Sequence, residues 1–77
     1  MLTVQQAYQQ LLITLYEHYE SREASNIAQM AMEAITGFSK IHRLLNKLLP
    51  LNAEQQQLHT TFLQRLSTGE PVQYIIG

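Results

Sequence analysis

Helix breakers at Gly37, Pro50 and the Gly69/Pro71 step cut this chain into short pieces, and within each piece apolar residues recur every three or four positions. This combination restricts the fold most, because a helical period interrupted so often yields short amphipathic helices. In the first piece Thr3 and Gln6 fit a reciprocal capping pair. Behind them Val4, Ala7, Tyr8, Leu11, Leu12, Leu15 and Tyr19 form one stripe, which predicts a helix over 4–19 ended by "ESRE". A second stripe, Ile27, Ala31, Ala34 and Ile35, widened by Ala28, Met30 and Met32, stops at Gly37, where a left-handed C-terminal residue is expected. Its alanines would let a neighbouring helix approach closely. Ser39 caps a short third helix predicted to turn Ile41, Leu44, Leu45 and Leu48 inward and to stop before Pro50. Asn52 and Gln55 open a fourth, with Leu58, Phe62, Leu63 and Leu66 on its inner face.

The expected fold is all-α: a small bundle of four short helices over 1–68, followed by a tail over 69–77. In that tail "VQYII" alternates and is the only strand candidate, so the tail is predicted to be extended. At 77 residues the chain is one domain at most, and a domain of this size buries only about 60% of its unfolded surface. Ten glutamines lie between the apolar positions and read as polar helix faces rather than as low complexity.

Composition excludes several functions. A net charge of −1 argues against generic nucleic-acid affinity. Without cysteine there are neither disulfides nor thiolate metal sites. The apolar runs are far below the ~20 residues of a membrane span, and "MLTVQQAYQQ" lacks the basic start and apolar core of a signal peptide. The default expectation is a soluble, cytoplasmic protein with no membrane partner.

Side chains with catalytic potential are sparse. Three isolated glycines supply no phosphate-binding loop, and there is no thiol nucleophile. His18, His42 and His59 show no metal-ligand spacing and are read as solvated surface. Glu17, Glu20 and Glu23 read as a solvated acidic face, or as an extension of the first helix pairing with Arg22. Tyr8 and Tyr19 fall on the first apolar stripe, which favours core packing with the hydroxyl at the rim over cofactor stacking. Lys40, Arg43 and Lys47, spaced three and four apart, share one face of the third helix, and no acidic residue interrupts 38–49. Two readings fit: a solvated face near a helix C-terminus, where cations are favoured, or a docking patch for an acidic protein or RNA surface.

The last segment narrows the field. "RLSTGEPVQYIIG", 65–77, resembles the interdomain junction of the release-factor glutamine methyltransferases, the HemK/PrmC family, through Arg65, Leu66, Gly69, Glu70, Pro71, Tyr74, Ile75 and Gly77. Upstream, "REASNIAQMAMEAITGFSK" is similar to the second helix of that family, with Ala24, Ile27, Ala28, Gly37 and Ser39 in matching places. The resemblance implies a recognition domain, 1–68, followed by the start of a linker hairpin, 69–77, that leads to an α/β methyltransferase domain absent from this chain. It implies S-adenosylmethionine as the cofactor of the parent enzyme and none in this fragment, which should be inactive alone. It further implies a peptide chain release factor as protein partner, methylated on the glutamine of its glycine-glycine-glutamine loop. No catalytic, cofactor-binding or metal residue carries over to these positions. Lys40, Arg43 and Lys47 are the candidate partner contacts; Gly69, Glu70, Pro71, Tyr74, Ile75 and Gly77 are the linker motif. A stand-alone helical adaptor and a small nucleic-acid-binding bundle are the competing readings.

Overall fold

The computed structural model describes all residues, 1–77, and contains five helices: α1 (Val4–Leu15), α2 (Ser21–Thr36), α3 (Lys40–Leu45), α4 (Ala53–Ser67) and α5 (Val72–Ile76). The all-α reading holds. Helix α1 packs against both α2 and α4, and α5 lies across α2 and α4. The alanines of α2 make this possible: Ala24, Ala28 and Ala31 are fully buried, as is Ala7 on α1. Leu11, Leu15, Met32 and Leu66 are the largest side chains completely enclosed between them. No helix is long and apolar enough to cross a membrane.

Helix starts follow the capping pairs in the sequence. Thr3 Oγ1 accepts from the Gln6 amide at 3.2 Å while Gln6 Oε1 accepts from the Thr3 amide at 3.0 Å. Asn52 and Gln55 repeat the exchange at the start of α4, at 2.8 and 2.9 Å. The first turn of α1 has a further source of acceptors. The Val4 amide donates to the Leu49 carbonyl and the Gln5 amide to the Lys47 carbonyl, both at 2.9 Å, and the Leu51 amide donates to the Leu2 carbonyl at 2.8 Å. The connection after α3 is thereby fastened across the N-terminus of α1, satisfying donors that a helix leaves open. Helix α2 ends on Gly37 at φ 73°, as expected.

The end of α4 gives the glycine-glutamate-proline step a structural explanation. Gly69 adopts φ 84°; its amide donates to the Leu66 carbonyl at 3.0 Å and the next amide, of Glu70, donates to the Arg65 carbonyl at 3.2 Å. This is the 6→1 and 5→2 pairing of a Schellman ending, for which a left-handed residue is needed.

Five expectations need correction. "VQYII" is not a strand and the tail is not extended: it forms α5, with Val72 buried and Ile75 half-buried on the same side. Val72 and Ile75 satisfy an i, i+3 spacing as well as the alternation does, and a helix satisfies its own backbone where a lone strand cannot. Helix α1 stops at Leu15 rather than Tyr19, and the turn that follows brings His18 Nε2 to the Ser67 carbonyl at 3.0 Å, tying it to the end of α4. On α4 the inward face is His59, Phe62 and Leu66, and Leu58 is exposed. His59, far from being solvated, is 2% exposed and donates from Nε2 to the Ala7 carbonyl at 3.1 Å. Helix α3 is turned the opposite way from its prediction: Ile41, Leu44 and Leu45, with Leu48 beyond its end, are 63–77% exposed, and Arg43 is buried.

Two expected outcomes follow from this packing. Leu11→Ala should cost about 2–5 kcal/mol in chemical denaturation, whereas Leu45→Ser should change stability by less than about 0.5 kcal/mol. Burial pulls the His59 imidazole below its ordinary value, against a smaller opposing effect of the Ala7 hydrogen bond. The unfolded chain therefore takes up the proton first, so the fold has its full stability above pH ~6.5 and loses it as pH falls below that value. The urea midpoint should drop between about pH 7 and pH 5, and His59→Gln should flatten that part of the profile.

Candidate protein-docking site

Arg43 organises the surface that the α1, α2 and α3 helices share. Its Nη1 donates to the Phe38 carbonyl at 2.7 Å and its Nη2 to Gln29 Oε1 on α2. The Gln29 amide nitrogen donates in turn to the Tyr8 hydroxyl of α1 at 3.2 Å, and that hydroxyl also meets Ser25 Oγ at 3.2 Å. One polar chain thus joins three helices through Arg43, a residue only 6% exposed. Its direct partners are neutral; no carboxylate bonds it, and the Arg65–Glu70 pair is the one salt bridge in the molecule. Burial lowers the Arg43 pKa from its ordinary value, with Glu33 and Tyr8 opposing. The side chain remains cationic, as guanidinium does in proteins.

Beside Arg43 lies a cleft of about 320 Å³ between α1 and α3. Val4, Tyr8, Leu12 and Leu44 supply its apolar lining, and Lys40, Arg43 and Lys47 its charge. No acidic residue lines it. The three cations predicted to share a face are therefore brought together, with a difference: Lys40 and Lys47 are exposed, whereas Arg43 is an internal tie. The leucines predicted to oppose them point into solvent, and Leu44 lines the same cleft as the cations. Ile41, Leu44, Leu45 and Leu48 form an apolar ridge directly beside the charged cleft.

Gln29 and Tyr8 belong to this site and escaped sequence reasoning as polar partners. Gln29 looked like one glutamine among ten, and nothing in its spacing distinguishes an acceptor for buried arginine from a solvated surface amide. The linker-motif residues lie apart from the cleft. Gly69 ends α4; Arg65 Nη2 donates to Glu70 Oε1 at 2.7 Å and Arg65 Nε donates to the other carboxylate oxygen. The hydrogen bonds from Arg65 hold Glu70 below the usual carboxylate range, and the same pairing raises the arginine. Pro71 caps α5, Tyr74 is exposed, Ile75 packs on the core and Gly77 closes the chain at φ 121°. No group of histidine and carboxylate side chains is arranged to hold a metal ion.

Comparison with known proteins agrees with the junction motif. Neither the curated proteins nor the solved structures include a match to the chain. The family model of the PrmC N-terminal domain matches residues 5–77, nearly the whole sequence and all five helices except the first residue of α1. With its helix-stop motif intact and its helices in the expected order, this chain belongs to the PrmC N-terminal domain family.

Proposed function

We propose that this chain is the substrate-recognition domain of an S-adenosylmethionine-dependent protein-glutamine methyltransferase, and that its partner is a bacterial peptide chain release factor. The observation that carries the reading is the α3 ridge: four large aliphatic side chains, Ile41, Leu44, Leu45 and Leu48, stand in water. A contiguous apolar surface of this kind marks a protein contact. Family membership points to a methyltransferase parent, and the reading takes the glutamine of a glycine-glycine-glutamine loop as its substrate.

Methyl transfer to an amide nitrogen requires nucleophile, methyl carbon and leaving sulfur to lie nearly in line, so positioning matters more than a strong base. A protein substrate offers surface far from its reacting atom, and binding energy collected there can orient the loop. Collecting it is the role assigned to this domain. The cofactor itself does not suit the cleft. Its sulfonium would face Lys40, Arg43 and Lys47 with no carboxylate to balance it, so no chemical step is derived from these residues. The methyltransferase domain is the second partner in this reading, attached beyond Gly77 and facing Tyr74 and Ile76, which α5 leaves exposed.

Titration of the isotope-labelled chain with a purified class-1 release factor tests the proposal. Amide shifts should concentrate on α3 and the adjoining turn of α1. The double variant Leu44→Ser, Leu48→Ser should weaken binding by about tenfold or more while leaving the melting temperature nearly unchanged. Absence of binding by the unaltered chain, or equal binding by the variant, overturns the proposal.

A further inference from the structure

We propose that the α1–α3 cleft is a receptor for a carboxylate of the partner: an aspartate or glutamate side chain, carried on an apolar helix or loop, enters beside Arg43 while its apolar neighbours lie along the α3 ridge. The inference rests on the recognition role proposed above and specifies the chemistry that the partner must present.

The charge pattern is the first argument. In a chain whose net charge is −1, three of the five basic side chains border one cleft and none of the six acidic ones does. The state of Arg43 is the second. A buried guanidinium is normally matched by a carboxylate or a full set of acceptors, because removing it from water is costly. Here it uses two of its five N–H donors on neutral oxygens. Glu33 acts on it electrostatically but accepts no hydrogen bond from it; a carboxylate arriving from outside would bond the guanidinium directly in a partly desolvated place, where charge-assisted hydrogen bonds are strongest. The polar chain from Ser25 through Tyr8 and Gln29 holds the guanidinium in position beforehand, so little ordering accompanies binding.

The same features decide against other occupants. Pairing two copies of the chain ridge to ridge would bring Lys40 and Lys47 of one copy toward those of the other. A nucleic-acid strand could use the cations but would leave Ile41, Leu45 and Leu48 without apolar partners. An acidic amphipathic protein segment satisfies both halves of the surface.

The experiment has two arms. In the first, a release factor is titrated against the unaltered chain and against Lys40→Glu, Lys47→Glu, two exposed positions whose exchange leaves the core intact. Binding should weaken by about tenfold or more in the variant, and should fall for the unaltered chain as salt rises from about 50 to about 500 mM. In the second, the chain is titrated with a synthetic helical peptide bearing a leucine stripe flanked by glutamates, with a glutamine-for-glutamate control. The glutamate peptide should shift the amides of Tyr8, Gln29, Lys40 and Leu44, and the control should bind about tenfold more weakly. Release-factor binding that ignores the lysine exchange overturns the carboxylate receptor and leaves the recognition role standing. A chain that ignores the release factor but distinguishes the two peptides retains the receptor and loses the named partner. Equal binding of both peptides, or preference for a single-stranded RNA oligomer over either, overturns the receptor.

Discussion

Everything distinctive about the surface of this domain depends on the burial of one guanidinium. Arg43 must find oxygen acceptors once it leaves water, and the Phe38 carbonyl and Gln29 provide them only if α3 turns its arginine side toward the bundle. With six residues, α3 has no second inward face to offer. Its leucines are consequently displaced outward. An apolar ridge and a cationic cleft are the two sides of a single orientational choice, made by a hydrogen-bonding requirement and not by hydrophobic burial.

The hydrophobic core proper is built elsewhere and is insensitive to that choice. Alanines on α2 bring α1 and α4 near enough for Leu11, Leu15, Met32 and Leu66 to close the interior, and α5 adds Val72 at one end. Small side chains on one helix and large ones on its neighbours give dense packing within a short chain. Because α3 contributes no large apolar side chain to that interior, its exposed face is set without a compromise in packing.

Local signals were legible in the sequence wherever one residue type has one mechanical use. Thr3 with Gln6, Asn52 with Gln55, Ser39, Gly37 and Gly69 all occupy the helix ends that their chemistry predicts. The junction motif was legible too, and its residues turn out to be parts of one device: Arg65 and Leu66 give carbonyls, Gly69 the left-handed turn, and Glu70 both an amide and a counter-ion for Arg65. Facing was not legible. The apolar period fits 58, 62, 63 and 66 as well as it fits 59, 62 and 66, and only tertiary packing sets His59 against the Ala7 carbonyl and leaves Leu58 outside. The same ambiguity hid the inversion of α3, because a six-residue helix with leucines on one side and cations on the other has no internal mark of which side is the core. "VQYII" failed for a related reason: its five residues hold both an alternating set, Val72, Tyr74 and Ile76, and a helical pair, Val72 and Ile75, and packing selects the second.

The fastening of the α3–α4 connection across the start of α1 gives the domain its folding logic. The carbonyls of Lys47 and Leu49 complete the first turn of a helix from the opposite half of the sequence. These contacts cannot form until a long loop has closed, and loop closure of that length carries an entropic cost that local helices avoid. The position of α3 relative to α1 therefore depends on contacts between distant parts of the chain. A peptide copied from α3 alone would carry the leucines and the lysines but not the cleft between them. The cleft is thus a property of the assembled domain: it exists only where α1 and the connection after α3 have been brought together.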